Sequence, residues 1–217
     1  QPFYAMEIIN GEELARVIQR GPAPFADVTR WMEQGADALT YIHGLGLAHR
    51  DLKPGNLMLN EARNLVVMDF GLAKDPAGTL LTEEGAVVGT PRYIAPEGFR
   101  GGEPGTPQDV WALALCAHEL ITGANWDGSQ SVAELAQRVM MGPPPTLADR
   151  PEVPAWFVEL QARALVADPK KRLTAPQYRD LLKKRGRGTG RVARLPGATS
   201  GQVPITDPGR MRTPGAT

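Results

Sequence analysis

The stretch that most constrains the fold is a nearly unbroken apolar run, QDVWALALCAHELIT, at residues 108–122. Apart from Asp109, His118 and Glu119 it is almost entirely apolar. A helix that is apolar around its whole circumference is stable in water only when other elements cover it. We therefore predict a buried helix at the centre of one domain, because 217 residues provide one sizeable core and hardly two.

Shorter segments with helical or strand-like patterns surround this run. Helical spacing predicts helices over 12–19, 27–44, 132–141, 155–166 and 175–184. Two short apolar runs at 57–59 and 65–68, separated by a turn-rich segment, predict a small hairpin, and the run at 3–9 predicts a strand that ends at a turn. Residues 69–106 are rich in Gly, Thr and Pro, which predicts a long loop.

Charge and composition divide the chain at about residue 185. The whole sequence is formally neutral, but residues 185–217 hold six Arg against one Asp among Gly, Pro and Thr. We predict a folded domain over 1–184 and a flexible basic tail over 185–217. A neutral chain gives no argument for binding nucleic acid, and no apolar run is long enough to span a membrane.

The cysteine content suggests a compartment. Cys116 is the only cysteine, so an internal disulfide is impossible and a reducing environment is the simpler expectation. We therefore expect a cytoplasmic protein, and the sequence leaves open whether a longer parent protein has a membrane anchor.

Two short motifs carry the residue types that phosphoryl transfer needs. HRDLKPGN at 49–56 supplies Asp51, Lys53 and Asn56, and MDFG at 68–71 supplies Asp69 directly after an apolar strand. A carboxylate can accept the proton of an attacking hydroxyl, a cation can offset phosphate charge, and oxygen ligands suit Mg²⁺. Either motif alone is weak evidence, but both together, with 13 positions from Asn56 to Asp69, indicate a catalytic loop.

Five motifs in this order resemble the C-terminal lobe of a eukaryotic-type (Hanks-type) serine/threonine protein kinase, from residue 3 to about 184. They are HRDLKPGN, DFG, GTPRYIAPE at 89–97, QDVWALALCAHELITG at 108–123 and DPKKRLTA at 168–175. The resemblance implies a mainly α fold, a helical bundle with a small β-hairpin at the catalytic loop. It also implies a separate N-terminal lobe built on a β-sheet, which we expect to be absent from these residues.

The resemblance assigns roles around the catalytic loop. Asp51 matches the catalytic base, Lys53 the lysine that contacts the γ-phosphate, and Thr90 the residue beside the peptide site that bridges to the catalytic aspartate. Asn56 and Asp69 match the metal ligands. The implied cofactors are ATP and Mg²⁺, with Mn²⁺ as an alternative metal.

The same resemblance predicts an adenine site in AMEII at 5–9 and nearby. Met6 matches the gatekeeper, while the Glu7 carbonyl and the Ile9 amide would meet the edge of the base. Met58 would form part of the apolar floor under the adenine, and Glu13 would reach a ribose hydroxyl.

Other residues are expected to be structural. Glu97 would pair with Arg172, and Asp109 would hold the backbone of the catalytic loop. For the three histidines we expect packing and hydrogen bonding at His49, and ordinary helical positions without a specific partner at His43 and His118.

The implied activity is transfer of the γ-phosphoryl group of ATP to Ser or Thr of protein substrates, and the composition suits a bacterial member. A small-molecule kinase of the aminoglycoside or choline type is less compatible with GTPRYIAPE and the DVW helix. A non-catalytic binding module or pseudokinase-like fragment is less compatible with the intact Asp51, Lys53, Asn56 and Asp69. The 217 residues contain no glycine-rich phosphate loop with its lysine and helix glutamate, so we expect them to be inactive or nearly so by themselves.

Overall fold

A computed structural model of the chain describes residues 7–69, 91–102, 105–129 and 131–186. These ranges form a mainly helical fold with one small sheet, as predicted. The strands are β1 (Gly11–Glu13), β2 (Leu57–Asn60) and β3 (Leu65–Val67), and the helices are α1 (Leu14–Gln19), α2 (Phe25–Gly44), α3 (Pro96–Phe99), α4 (Thr106–Thr122), α5 (Val132–Met141), α6 (Ala155–Ala164) and α7 (Ala175–Gly186). Short 3₁₀ turns lie at Pro54–Asn56 and Pro91–Tyr93.

Helix α4 is the predicted central helix, and every residue from Gln108 to Ile121 is buried. Pro107 stands in its first turn, where a missing N–H costs nothing, and Gly123 ends it with a left-handed backbone at φ 67°. Helices α1, α2, α6 and α7 all contact α4. The apolar run is therefore the core about which the other helices are arranged.

Helix α2 runs beside α4 and α7 and leads directly to the catalytic loop. Its buried side chains recur every three or four residues, including Val28, Trp31, Met32, Leu39 and Ile42. This spacing places one apolar stripe against the core. The end of α2 at Gly44 is thereby fixed relative to α4.

The sheet is antiparallel with the order β1-β2-β3. The predicted hairpin of β2 and β3 is confirmed, and β1 adds a third strand on its outer edge. The sequence GEE gave no strand signal because it contains no β-branched or aromatic residue. Glycine is needed at position 11 of β1, because a Cβ there would lie 2.1 Å from the Leu59 carbonyl oxygen and would collide with it.

Three predictions about regular structure were wrong in part. Residues 7–9, the described portion of the predicted strand, form no strand. The strand lies instead at Gly11–Glu13, where a turn and the start of a helix were expected. The predicted loop over 69–106 contains a 3₁₀ turn and helix α3 in its described part. One helical turn of four residues is too short to show a periodic pattern.

The predicted boundary between the folded domain and the tail lies near the end of the described residues. Helix α7 continues to Gly186, two residues beyond the predicted boundary at 184, and the remainder of the predicted tail lies outside the described ranges. Among the residues that are described, no helix is long and apolar enough to cross a membrane.

Candidate active site

The catalytic loop is attached to α4 through Asp109. One carboxylate oxygen, Oδ2, accepts the backbone N–H of His49 at 2.8 Å, and the other, Oδ1, accepts that of Arg50 at 2.9 Å. The predicted contact between Asp109 and the loop backbone is therefore confirmed. Arg50 has φ 67°, a left-handed conformation that residues with a Cβ adopt rarely. The carboxylate thus stabilises an unfavourable backbone conformation one residue before Asp51.

His43 contacts the same carboxylate, so the expectation that it has no specific partner was wrong. Its Nε2 lies 2.8 Å from Asp109 Oδ2. The two residues are 66 positions apart, and helical periodicity predicts which face of a helix is buried but not which polar group it meets. His118 also has a partner, the Thr146 carbonyl oxygen at 3.3 Å from its Nε2.

Asp51, Lys53 and Asn56 form one hydrogen-bonded group. Lys53 Nζ lies 3.0 Å from Asp51 Oδ2, and the Asn56 side-chain amide donates to the Asp51 carbonyl oxygen at 2.8 Å and to Asp51 Oδ2 at 3.2 Å. Pro54 starts the 3₁₀ turn that brings Asn56 back toward Asp51. Because the Asn56 nitrogen faces Asp51, its side-chain oxygen is the atom suited to a metal ion.

Asp69 lies two residues beyond the end of β3. The backbone N–H of Met68 donates to the Asn56 carbonyl oxygen at 2.9 Å, which joins the segment that carries Asp69 to the catalytic loop. The His49 ring makes a second connection, since its Nε2 lies 2.8 Å from the Met68 carbonyl oxygen. Asp69 itself is exposed and has φ 51°, another left-handed conformation.

These oxygen groups suit a hard cation. Mg²⁺ usually takes one or two protein carboxylates and completes its octahedral shell with phosphate oxygens and water. The Asp69 carboxylate and the Asn56 side-chain oxygen match that requirement, and no larger cluster of potential ligands is found in the described part of the chain. The residues present therefore fit a magnesium ion that is held jointly with a nucleotide.

Two of the predicted nucleotide-binding residues lie on the sheet. Glu13 on β1 and Met58 on β2 are directly paired across the two strands. Met58 and Ile9 are half-buried, whereas Glu7 and Glu13 are exposed. Two other predicted site residues, Met6 and Thr90, lie outside the described residues.

The predicted ion pair between Glu97 and Arg172 is confirmed and buried. Arg172 Nη1 and Nη2 lie 2.6 Å and 2.8 Å from the two Glu97 oxygens, and the arginine side chain is fully buried. Its guanidinium also donates to the carbonyl oxygens of Pro107 and Val166 and lies 5.1 Å from the centre of the Trp111 ring. The pair ties α3 to the start of α4 and to the segment before α7.

A second buried network, which was not predicted, involves residues 92 and 93 and the acidic side chains of Glu119 and Asp127. Tyr93 donates its hydroxyl to Glu119 Oε2 at 2.6 Å, the Trp126 N–H lies 3.3 Å from Glu119 Oε1, and Arg92 Nε lies 2.8 Å from Asp127 Oδ1. Burial raises the pKa of both Glu119 and Tyr93. Glu119 could have been identified only as an acidic residue within an apolar run, since charged groups are rarely buried without partners. Asp127 lies among Gly, Asn and Ser and gave no such signal.

A small cleft separates this segment from the catalytic loop. Arg50, Asp51 and Lys53 line one side, and Tyr93 and Ile94 line the other. The Asp51 side chain is 21% exposed, so its carboxylate can be reached from outside. A hydroxyl-bearing side chain that entered here would meet Asp51 and Lys53 together.

Comparison with known proteins agrees with this geometry. A family model described as "Protein kinase domain" matches residues 2–181. The chain is 37% identical over 174 residues to "Serine/threonine-protein kinases drp72" of Corynebacterium efficiens, covering 78% of this chain and 32% of that protein. It is 33% identical over 168 residues to serine/threonine-protein kinase PknA of Mycobacterium tuberculosis, covering 77% and 38%. With PknH of Mycobacterium bovis the identity is 35% over 174 residues, covering 79% and 29%.

The chain spans about a third of the length of these relatives. The family match, in contrast, covers most of the chain and includes every motif from the catalytic loop to α7. The chain therefore belongs to the protein kinase domain family, and bacterial serine/threonine kinases are among its relatives.

Proposed function

We propose that this chain is the C-terminal lobe of an ATP-dependent protein kinase that phosphorylates Ser or Thr of protein substrates. The observation that supports this most is the convergence of Asp51, Lys53 and Asn56 in one hydrogen-bonded group, next to the segment that carries Asp69. The names of the bacterial relatives supply the Ser/Thr class of substrate. In this proposal residues 1–184 form the kinase portion and residues 185–217 form a flexible basic tail.

Asp51 acts as the base in this reaction. The hydroxyl oxygen of the substrate forms a bond to the γ-phosphorus of ATP while the bond between that phosphorus and the β–γ bridging oxygen breaks, and ADP leaves. The hydroxyl proton passes to the Asp51 carboxylate, which lies at the cleft and is oriented by the Asn56 amide. Transfer of this kind depends on positioning and charge more than on covalent chemistry.

The Lys53 ammonium group and a metal ion would offset the negative charge of the phosphates. The Lys53 ammonium group lies 3.0 Å from Asp51 Oδ2, so it can contact a transferring phosphoryl group without leaving the base. Asn56 and Asp69 would hold Mg²⁺, or Mn²⁺ in its place, and the ion would supply positive charge against the phosphates. Thr90 would bridge the peptide site and Asp51.

The adenine would lie beside the sheet. Met58 forms an apolar surface on β2, and Glu13, its neighbour on β1, would reach the ribose. Met6, Glu7 and Ile9 would line the edge of the base. Because the glycine-rich loop and its lysine have no counterpart within the 217 residues, we propose that turnover requires further parts of the gene product and that this stretch alone is nearly inactive.

The test is ATP-dependent labelling by the full-length gene product. The protein is incubated with γ-labelled ATP, Mg²⁺ and a generic protein substrate, and the labelled amino acid is identified after hydrolysis. We expect phosphoserine or phosphothreonine, and we expect Asp51→Asn to lower the rate about 100-fold or more. The matched control is Asp27→Asn, the same change at a surface residue that pairs with Arg30, and it should retain the wild-type rate.

Two results would reject the proposal. A full-length protein that transfers no label with either Mg²⁺ or Mn²⁺ would support a non-catalytic binding module instead. Full activity in Asp51→Asn would remove Asp51 as the base even if phosphoryl transfer occurs.

A further inference from the structure

We propose that Glu12 is a positioning residue for the nucleotide, which fixes strand β1 through ion pairs with two arginines and thereby places Glu13 against Met58. The consequence for ATP binding rests on the proposed function, whereas the consequence for the pairing of β1 does not. Glu12 is the middle residue of β1 and lies outside the catalytic and metal-binding motifs.

The Glu12 carboxylate is bound by two arginines that come from different elements. Arg20 Nη1 donates to Oε1 and Arg20 Nη2 donates to Oε2 at 2.9 Å, so this pair is bidentate. Arg63 Nη1 donates to Oε2 at 3.1 Å. Arg20 caps the end of α1, and Arg63 lies in the turn between β2 and β3. Glu12 therefore joins β1 to two neighbouring elements at once.

The geometry gives these contacts more weight than an ordinary surface ion pair. An isolated exposed pair contributes little to stability, but a bidentate arginine and a network of several charges are the exceptions. The Glu12 side chain is 24% exposed, and the hydrogen bonds from Arg20 help to lower the pKa of its carboxyl group to about 2. The carboxylate is thus ionised near neutral pH and available to both arginines.

Arg63 is itself held by helix α2. The Trp31 Nε1 donates to the Arg63 carbonyl oxygen at 3.0 Å, and the Arg63 guanidinium lies 5.4 Å from the centre of the Trp31 ring. Trp31 is buried in the apolar stripe of α2. Arg63 has φ 61°, a left-handed conformation that a residue with a Cβ adopts rarely and that these contacts stabilise. The ion pair therefore connects β1 to a residue that is anchored on the core.

Strand β1 needs such a contact because its sequence does not favour a strand. Its three residues lack β-branched and aromatic side chains, and it lies at the edge of the sheet. Glu12 is paired with Leu59, and cross-strand partners share one side of a sheet, so Glu12 lies on the side of this buried leucine. Glu13 and Met58, which are also paired, share the opposite side. Glu12 thus fixes β1 from the side away from the proposed nucleotide.

Loss of the Glu12 charge should weaken ATP binding and leave the chemical step unchanged. Without its ion pairs, β1 is held only by its pairing with β2 and by its continuity with α1, so Glu13 is placed less precisely against Met58. The ion pairs that the structure describes for Glu12 involve the two arginines and none of the groups assigned to phosphoryl transfer. An increase in Kd and KM for ATP without a fall in kcat is therefore the expected signature.

The experiment compares Glu12→Gln, Arg63→Gln and the double variant in the full-length protein. Calorimetry gives the Kd for Mg²⁺·ATP, and kinetics give kcat and the KM for ATP. We expect Glu12→Gln to raise Kd and KM about three- to tenfold, the effect of losing two ion pairs at the upper end of the surface range, and to change kcat by less than about twofold. The double variant should bind about as weakly as Glu12→Gln, because the pair is already lost in the single variant.

Two matched controls separate the ion pair from changes of charge alone. Glu61→Gln removes the same charge from an exposed residue of the turn that carries Arg63. Arg30→Gln removes an arginine that also lies beside the Trp31 ring, 6.0 Å from its centre, but pairs with Asp27 instead of Glu12. Both variants should keep the wild-type Kd. Raising NaCl from about 0.05 to 0.5 M should reduce the difference between the wild type and Glu12→Gln, since salt screens exposed charges.

Hydrogen exchange gives a result that does not depend on nucleotide. In Glu12→Gln a peptide that covers residues 11–13 should exchange about tenfold faster than in the wild type or in Glu61→Gln, because β1 is no longer held at its edge. Wild-type exchange in this peptide would contradict the role of Glu12 in fixing the strand.

The binding data decide between the two proposals. A wild type that binds Mg²⁺·ATP while Glu12→Gln binds it equally tightly would overturn the positioning role alone. A fall of kcat as large as the rise of Kd in Glu12→Gln would also overturn it, because a general disturbance of the domain would then explain both. A wild type that binds no Mg²⁺·ATP would contradict the proposed function, and the positioning role would fail with it.

Discussion

Replacing Arg172 by Met should lower the free energy of unfolding by about 3–5 kcal/mol, the range observed when one partner of a buried ion pair is removed. Arg172 is fully buried, whereas its partner Glu97 keeps 17% of its side chain exposed. The substitution preserves most of the apolar stem but leaves the Glu97 carboxylate partly buried without its counterion. It also removes the donors to the carbonyl oxygens of Pro107 and Val166.

The geometry supports an effect of this size. The two terminal guanidinium nitrogens, Nη1 and Nη2, each lie within 2.8 Å of a Glu97 carboxylate oxygen, so the pair is bidentate. Two unit charges about 4 Å apart interact with about 4 kcal/mol at the effective dielectric constant near 20 that suits protein sites. Contact between the guanidinium and the Trp111 ring, 5.1 Å away, adds to the loss.

Urea unfolding followed by tryptophan fluorescence measures the effect, with the slope of the transition checked for constancy between variants. The control is Lys171→Met at the neighbouring residue, whose side chain is 77% exposed and whose ammonium group lies 3.8 Å from Asp168 Oδ2. That exposed pair should contribute less than about 1 kcal/mol. A loss below about 1 kcal/mol in Arg172→Met would show that the buried ion pair contributes no more than an exposed one.

A double-mutant cycle separates the ion pair from the other contacts of Arg172. Glu97→Leu combined with Arg172→Met removes both charges, so neither remains buried without its counterion. We expect the double variant to be more stable than the sum of the two single losses predicts, by at least about 1 kcal/mol. Strict additivity would show that the two charges do not stabilise one another.

Two further predictions concern backbone strain and pH. Gly123→Ala should destabilise the domain by about 1–3 kcal/mol, because Gly123 has φ 67° and a Cβ would lie 2.5 Å from the Pro22 nitrogen. The control is Gly44→Ala, where an added Cβ would meet nothing within 4 Å, and it should leave the free energy of unfolding unchanged or slightly higher in the same urea unfolding experiment. Burial lowers the pKa of His118 below its ordinary value of 6.5, so the unfolded chain binds more protons than the folded one near and below that pH. The wild type should therefore lose stability relative to His118→Gln as the pH falls below 6.5, which urea unfolding at several pH values measures. Equal slopes of stability against pH in both proteins would contradict this.

The central helix could be predicted from sequence because its signal is local. The apolar run needs a buried environment wherever it lies, and α4 provides one from Gln108 to Ile121. Helices α2 and α5 could also be predicted from local sequence, because each has apolar residues at helical spacing and residues that end a helix. β1 was not, because three residues without β propensity become a strand only through pairing with β2.

The polar contacts of the site also divide into local ones, which the sequence predicts, and long-range ones, which it does not. Asp51, Lys53 and Asn56 lie within six positions, so one tight turn brings them together, and their proximity follows from sequence. The Glu97–Arg172 pair spans 75 positions and was predicted only through the family resemblance. Long-range contacts outside the motifs, such as that between His43 and Asp109, could not be predicted because spacing along a helix says nothing about a partner on another helix.

The roles of Asp51 and Asp69 are distinguished by measuring binding of Mg²⁺·ATP separately from its turnover in the full-length protein. Asp51→Asn should bind Mg²⁺·ATP about as tightly as the wild type and transfer the phosphoryl group about 100-fold more slowly or worse, because a base acts in the transition state and not in nucleotide binding. Asp69→Asn should weaken the magnesium-dependent part of binding as well as turnover. If Asp51→Asn turns over at the wild-type rate, or if Asp69→Asn binds and turns over like the wild type, the assignment of base and metal ligand in this site is wrong.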